Sequence, residues 1–140
     1  FYLYKLDQFT PFRFAIWDYD HSFGRDADNE SNLMTRPINC NKSILLERLT
    51  KISETGYSLK LKKRWFELRE KKIISTSNFE HHIIKNNLII ESQVEKNFDK
   101  WKINSSWYYD DNDYNQELDL MRDFVKIRVI QLDDYFKSIL

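Results

Sequence analysis

Residues 14–24 read Phe-Ala-Ile-Trp-Asp-Tyr-Asp-His-Ser-Phe-Gly, and no other stretch of the chain is as informative. An apolar segment with the character of a β-strand leads directly into two carboxylates, Asp18 and Asp20. Side chains at positions i and i+2 of an extended segment point to the same side, so both carboxylates can share one cation. Hard cations such as Mg²⁺ are bound by one or two carboxylates together with substrate phosphates. Gly24 then allows the chain to turn sharply.

The residues around this stretch predict a hairpin followed by a long loop. Residues 1–5 and 12–17 are rich in aromatic and branched side chains, and a short polar stretch ending in Pro11 separates them. Such a pattern is typical of a β-hairpin, which we assign to residues 1–17. The next residues are mostly polar, and long ordered loops are often functional. We therefore assign a metal-site loop to residues 18–40.

Beyond residue 40 the hydrophobic pattern changes to the period of a helix. Four helices are predicted, starting after an N-cap at Asn41, at Tyr57, after an N-cap at Ser75 or Ser77, and near Gln116. Gly56 separates the first two, the third spans about 25 residues and ends near Trp101, and the last ends near Ile139. The expected fold is α+β and mostly α, with an N-terminal β-hairpin and a helical subdomain of about four helices over residues 41–140.

The composition excludes several classes of protein. Lys and Arg together number 22, as do Asp and Glu, and this zero net charge argues against a dedicated nucleic-acid binder. Cys40 is the single cysteine, so neither an internal disulfide nor a cysteine-rich zinc site can form. No apolar run approaches the length of a membrane span. With 41% hydrophobic and 16% aromatic residues, the chain can build a packed core.

Other chemistry-bearing residues have less specific patterns. Asp111, Asp113 and Asn115 have the spacing of a calcium loop, but Gln116 stands where that loop requires glycine, and Arg122 stands where it requires glutamate. We therefore interpret this stretch as the acidic approach to a helix N-terminus.

Histidines and basic residues admit a functional and a structural interpretation. His21 could bind or support a metal ion, although a polar loop residue is the simpler interpretation. His81 and His82 are adjacent on a predicted helix and cannot face one point, so we expect solvent exposure. The basic run from Lys60 to Lys72 is either a solvated helix face or a surface for an acidic substrate. We expect Trp65, Trp101 and Trp107 to be core or rim anchors.

Three motifs together give the chain a family resemblance. They are Trp-Asp-x-Asp-x-Ser-Phe-Gly at residues 17–24, Arg-Trp-x-x-Leu-Arg at residues 64–69, and Leu-Asp-Asp-Tyr-Phe at residues 132–136. With the hairpin before them, these motifs resemble the C-terminal half of the spore coat protein H (CotH) kinase family. The resemblance covers nearly the whole chain.

The resemblance implies the C-terminal lobe of an atypical protein-kinase-like fold, with ATP and Mg²⁺ or Mn²⁺ as cofactors and a protein as substrate. Asp18 would match the metal-binding aspartate of the kinase Asp-Phe-Gly element. Asp20 would be a second ligand or the matching position itself, and both interpretations stay open. The helices from residue 41 onward would form the lower lobe.

The resemblance also implies that important parts lie elsewhere. The glycine-rich loop, the ATP-pairing lysine and its glutamate partner do not occur in this chain, and the catalytic aspartate is expected upstream of Phe1. We therefore expect the N-terminal lobe to be missing and this fragment to be inactive alone. The family resemblance suggests a spore-coat or extracytoplasmic bacterial location. The alternatives are a non-catalytic kinase-like structural or docking protein of a spore coat or cell surface and, less favoured, a free-standing helical interaction module.

Overall fold

The computed structural model describes residues 2–15, 22–24, 43–102 and 112–139. Within these residues the chain forms one two-stranded antiparallel hairpin and four α-helices. The elements are β1 (Tyr2–Tyr4), β2 (Arg13–Ala15), α1 (Ile44–Lys51), α2 (Tyr57–Glu70), α3 (Thr76–Lys100) and α4 (Tyr114–Ser138), with a 3₁₀ turn at Ser53–Thr55. The predicted fold class, a hairpin followed by about four helices, is therefore confirmed. No helix in the described part of the chain is long and apolar enough to cross a membrane.

The hairpin is closed by side chains in its own loop. Tyr2 pairs with Ala15, and Tyr4 pairs with Arg13. In the loop, the Asp7 carboxylate accepts hydrogen bonds from the backbone N–H groups of Phe9 (2.7 Å) and Thr10 (2.9 Å). A short acidic side chain that binds the backbone two residues on is a common device for turning the chain. This loop explains why the predicted hairpin forms where it does.

Two serines set the starts of α1 and α3. The Ser43 hydroxyl accepts from the N–H of Leu46 (3.4 Å), so α1 is capped by Ser43 and the predicted N-cap at Asn41 is wrong. Asn41 itself lies outside the described residues. The Ser75 hydroxyl accepts from the N–H of Asn78 (3.1 Å), which decides between the two serines predicted for α3. Serine is favoured at these positions because its short side chain places a hydroxyl where it can accept from an otherwise unpaired N–H of the first turn.

Helix α4 begins two residues before the predicted start at Gln116. Asp113 is its N-cap: its carboxylate accepts from the N–H of Gln116 (2.9 Å), and the Gln116 side chain accepts from the N–H of Asp113 (2.7 Å). This reciprocal arrangement is a capping box. Asp113 and Asn115, which belong to the stretch with the spacing of a calcium loop, therefore lie at the start of a helix. This is the interpretation that the sequence favours, because Gln116 stands where a calcium loop requires glycine.

Helices α2 and α4 are joined by a shared carboxylate on α4. Asp133 accepts hydrogen bonds from the Trp65 indole (2.8 Å) and from Arg69, whose Nε and Nη2 atoms reach its two oxygens at 3.0 and 3.1 Å. The Trp65 ring also stacks on Phe136, with 5.0 Å between centroids. We call Trp65, Arg69, Asp133 and Phe136 the α2–α4 clamp. It is built from the two C-terminal motifs of the chain.

Helices α3 and α4 run antiparallel. Arg122 of α4 donates from Nε to both carboxylate oxygens of Glu80, at 3.1 and 3.0 Å, and the Tyr114 hydroxyl donates to Asn87 (2.8 Å). The buried hydrophobic residues in the described part of the chain are Trp65, Ile83, Val125, Val129 and Phe136. The predicted packing of Trp65 is thus confirmed.

Trp101 is not the core or rim anchor that the sequence predicts. It is 64% exposed at the end of α3, where the Lys100 ammonium lies 5.2 Å from its ring centroid. The helix ends at Lys100, so Trp101 leaves the face that α3 presents to α4. Trp107 lies outside the described residues.

The α2–α4 clamp makes stability depend on pH. Partial burial opposes ionisation of Asp133, but the hydrogen bonds from Arg69 and Trp65 outweigh it and lower the pKa of Asp133 from its ordinary value of 3.8. A lowered pKa means that the unfolded chain takes up the proton first as the pH falls. The stabilisation is therefore complete above the ordinary pKa and is lost as the pH falls through the folded value.

We expect Asp133→Asn to lower the free energy of unfolding by about 2 kcal/mol at pH 7, because charged hydrogen bonds to two donors are lost. The difference between wild type and variant should begin to shrink below pH 3.8 and should disappear below the lowered pKa of Asp133 in the folded state. Urea unfolding at pH 7 and pH 3 measures both effects, and urea avoids the screening that an ionic denaturant would add.

Asp134→Asn is the matched control for this clamp experiment. Asp134 is the next residue along α4, its side chain is 71% exposed, and it meets Lys137 at 3.4 Å. Exposed pairs of this kind contribute little, so we expect a change within about 0.5 kcal/mol. Equal losses in the two variants, or an Asp133 effect that does not change with pH, would contradict the clamp.

Candidate functional site

The predicted metal ligands Asp18 and Asp20, and His21 beside them, lie outside the described residues. The chain is described on both sides of them. Strand β2 ends at Ala15 on one side, and the turn of residues 22–24 lies on the other. The described residues nearest the candidate site in sequence are therefore the end of β2 and the turn of residues 22–24.

The turn of residues 22–24 is docked on the helical subdomain. The Phe23 ring lies 4.9 Å from the ring of Phe79 on α3 and 6.4 Å from that of Phe124 on α4, centroid to centroid. The second contact is edge-on, an arrangement that aromatic rings favour. We call the rings of Phe79 and Phe124 the Phe23 seat. The seat joins the turn of residues 22–24 to both long helices.

The backbone of this turn has an uncommon shape. Phe23 has a φ of 57°, and Gly24 has a φ of 87°. A non-glycine residue in the left-handed region costs about 1–2 kcal/mol and persists where its surroundings hold it. The aromatic contacts of Phe23 provide that support. The positive φ of Gly24 thus confirms the prediction that this residue lets the chain turn.

Gly24 also lies against the seat. A Cβ atom placed on Gly24 would come within 3.0 Å of Cδ2 of Phe124. A side chain here would require the Phe124 ring of helix α4 to shift by a few tenths of an ångström. The absence of a side chain therefore lets the loop approach α4 closely.

An ion pair holds the two helices together beside the seat. Glu80 follows Phe79 on α3, and Arg122 precedes Phe124 by two residues on α4. Their hydrogen bonds raise the pKa of Arg122, with a further contribution from Asp119, so the guanidinium stays charged. The Arg128 guanidinium lies 6.0 Å from the Phe124 ring centroid. The seat thus rests on helices that are tied to each other.

The basic run of α2 is used largely for internal contacts. The Lys62 ammonium donates to the backbone carbonyls of Lys137 (3.3 Å) and Ile139, at the C-terminus of α4, where a cation is favourable. Lys71 and Arg64 hold the pKa of Glu67 down at about 2. These contacts favour the interpretation as a structural, partly solvated face over a binding surface for an acidic substrate.

Within the described ranges, no group of three or more His, Cys, Asp or Glu residues could hold a metal ion. His81 and His82 are both exposed on α3, as expected. The predicted ligands at residues 18 and 20 are not part of this comparison and stay predictions.

The Phe23 seat was not anticipated from the sequence. Phe79 is an apolar position of the predicted third helix, but nothing in its helical spacing points to the loop. The available signal was Phe23 itself, since an aromatic ring gains from packing against other apolar side chains. The identity of that partner depends on how α3 and α4 pack.

The comparisons with known proteins give one positive result. A protein-family model described as CotH kinase protein matches residues 1–130 of the 140-residue chain. The searches of curated proteins and of solved structures find no match. The match covers the hairpin, the metal-site loop, α1, α2, α3 and most of α4.

The contact between Gly24 and Phe124 predicts a difference between the two glycines of the chain. Gly56→Ala should lower the free energy of unfolding by about 1 kcal/mol, because φ is 59° but nothing closer than Lys60 at 3.9 Å meets the new Cβ. Gly24→Ala should cost roughly 1 kcal/mol more, because it also pushes on the Phe124 ring. Urea unfolding of both variants measures the difference. A smaller loss for Gly24→Ala than for Gly56→Ala would contradict the tight approach.

Proposed function

The chain belongs to the CotH kinase family, and from this membership we propose that it is the C-terminal lobe of an atypical kinase that transfers phosphate from ATP to a protein. In this proposal residues 18–40 form the metal-site loop and residues 41–140 form the helical subdomain. The catalytic aspartate lies upstream of Phe1, so the 140-residue fragment is inactive alone.

The observation that carries the proposal is the docking of residues 22–24 on the Phe23 seat. Asp20 precedes Ser22 by two residues, and consecutive Cα atoms are 3.80 Å apart, so their Cα atoms are at most about 7.6 Å apart. On the other side, Asp18 follows the end of β2 by three residues. On one side the carboxylates are followed within a few residues by a turn that packs on α3 and α4, and such anchoring suits a site that must keep its geometry when substrate binds.

The donor set fits a hard divalent cation. Two carboxylates spaced i, i+2 supply oxygen ligands, and Mg²⁺ and Mn²⁺ take such ligands together with phosphate oxygens. Asp18 and Asp20 would hold the cation, and either can be its principal ligand. When bound with ATP, the cation neutralises charge on the phosphoryl group being transferred. The protein's own part is to hold these carboxylates at a fixed distance from that group.

We expect Asp18→Asn and Asp20→Asn, made in the longer protein that carries this chain, to lower the rate of ATP-dependent phosphoryl transfer. The loss should be about 10³-fold for the principal ligand and smaller for the other, because one stabilising charge is removed while the shape is kept. Transfer of labelled phosphate from ATP with Mg²⁺ or Mn²⁺ measures the effect.

Asp113→Asn is a matched control for these substitutions. It removes a carboxylate by the same change, but asparagine caps a helix as well as aspartate does, so α4 should be unaffected. Unchanged transfer in both loop variants would remove the metal role from Asp18 and Asp20. If the wild type neither transfers phosphate nor binds nucleotide, the non-catalytic docking protein becomes the better account.

A further inference from the structure

Helix α3 has a second side besides the one that packs on α4. Positions 81, 84, 88, 91 and 95 are spaced three or four residues apart, so they lie along one side of the helix, and all five are exposed. The centre of this side is apolar, with Ile84 50% exposed and Leu88 66% exposed. We call this side the α3 outer face, and its residues are His81, Ile84, Lys85, Leu88, Glu91 and Glu95.

The polar residues of the α3 outer face are separated by charge. His81 and Lys85 precede the apolar pair, and Glu91 and Glu95 follow it. The two glutamates are one turn apart, a spacing at which like charges weaken a helix. In the described part of the chain none of these four residues takes part in an ion pair, whereas exposed charges on α2 and α4 pair with neighbours on their own helix. The α3 outer face thus has charges that a partner could neutralise.

We infer that the α3 outer face is the contact surface of a two-fold dimer, in which it packs antiparallel against the same face of a second copy of the chain. In a two-fold interface every contact occurs twice, with the two copies exchanged. When the axis passes midway between Ile84 and Leu88, Ile84 of each copy lies opposite Leu88 of the other. The same register places His81 of each copy opposite Glu91 of the other.

A second copy fits this surface because the pattern of the α3 outer face is complementary to itself. Reversing the helix exchanges its basic and acidic halves and leaves the apolar centre in place. Two reversed copies therefore bring apolar residues together and place basic groups along acidic ones, and such complementarity fixes the register of an interface. A contact made by one helix from each copy is at the low end of specific interface sizes, so we expect a reversible dimer.

The acidic half of the face is supported from within the subdomain. Asn87 donates from its side-chain amide to the Glu91 carboxylate (3.2 Å) and accepts from the Tyr114 hydroxyl of α4 (2.8 Å). Glu91 is thus held by a side chain that is itself fixed by the packing of α3 on α4. An oriented group loses less conformational freedom when a partner binds.

Two neighbouring residues of α3 test the apolar centre. Leu88 and Ile89 are 66% and 70% exposed, but Ile89 lies about 100° around the helix from Leu88 and outside the face. In the longer protein that carries this chain, Leu88→Ser should raise the Kd of the dimer about tenfold, because apolar area is lost at two symmetric positions. Ile89→Ser, the matched control, should leave Kd unchanged. Sedimentation velocity over a series of protein concentrations gives Kd, and thermal unfolding shows that both variants are folded.

An exchange of charges tests the register. His81→Glu places acidic groups opposite each other in the dimer, and Glu91→Lys places basic groups opposite each other, so each variant alone should self-associate about tenfold more weakly. An equimolar mixture of the two variants should regain the wild-type Kd, because every altered charge then meets an opposite one in the mixed dimer. Both side chains are exposed, so neither substitution disturbs the core.

Three results would overturn the dimer. The first is a wild type that remains monomeric at every concentration. The second is a wild-type dimer with the same Kd after Leu88→Ser. The third is a mixture of the charge variants that associates no better than each variant alone. If Leu88→Ser lowers the unfolding midpoint of a monomeric wild type and Ile89→Ser does not, another segment of the longer protein covers the α3 outer face in place of a second copy.

Discussion

The carboxylate of Asp133 is the interaction on which the helical subdomain depends most. It receives the indole N–H of Trp65 and two N–H groups of Arg69, so one side chain of α4 fixes the rotation of α2 against it. Arg69 donates in addition to the carbonyl of Ile74, which ties the end of α2 to the approach of α3. A planar guanidinium is suited to this because its donors point in fixed directions. Replacing Arg69 by lysine would keep the charge but lose this geometry.

The position of α4 in turn determines where the loop can dock. Helix α4 carries the clamp toward its C-terminal end, Phe124 near its middle and Arg122 one half-turn earlier. Helix α3 is held against it through Glu80, next to Phe79. The seat is therefore assembled from side chains that the ion pair and the clamp have already brought into register. Trp65 and Phe136, two of the five buried hydrophobic residues of the described part, belong to the clamp, and the other three lie on α3 and α4.

The type and order of the strands and helices could be predicted from the sequence, but their packing against each other could not. The period of the hydrophobic residues predicted the helices. Ser75 and Gly56 marked two of their boundaries, because N-caps and glycine act on the backbone next to them. The start of α1 was misplaced because Asn41 and Ser43 are both good N-caps, and only the backbone geometry chooses between them. The seat could not be predicted, since Phe79 and Phe124 are 45 residues apart in sequence and meet Phe23 only through tertiary packing.

The motifs that carry the family resemblance have different roles in the chain. In the structure, Arg-Trp-x-x-Leu-Arg and Leu-Asp-Asp-Tyr-Phe supply the clamp, in which Trp65 and Arg69 donate to Asp133 and the Trp65 ring stacks on Phe136. The first of these motifs lies within residues 1–130, which the family model matches, and the second lies beyond them, so the clamp joins the matched region to the end of α4. Asp18 and Asp20 lie outside the described residues, whereas the adjoining Phe-Gly turn packs on α3 and α4. A protein that lost catalysis could keep the clamp and the seat while the residues at positions 18 and 20 were replaced. Under the proposed function, the carboxylates at residues 18 and 20, and not the helical motifs, are where this chain takes part in the chemistry.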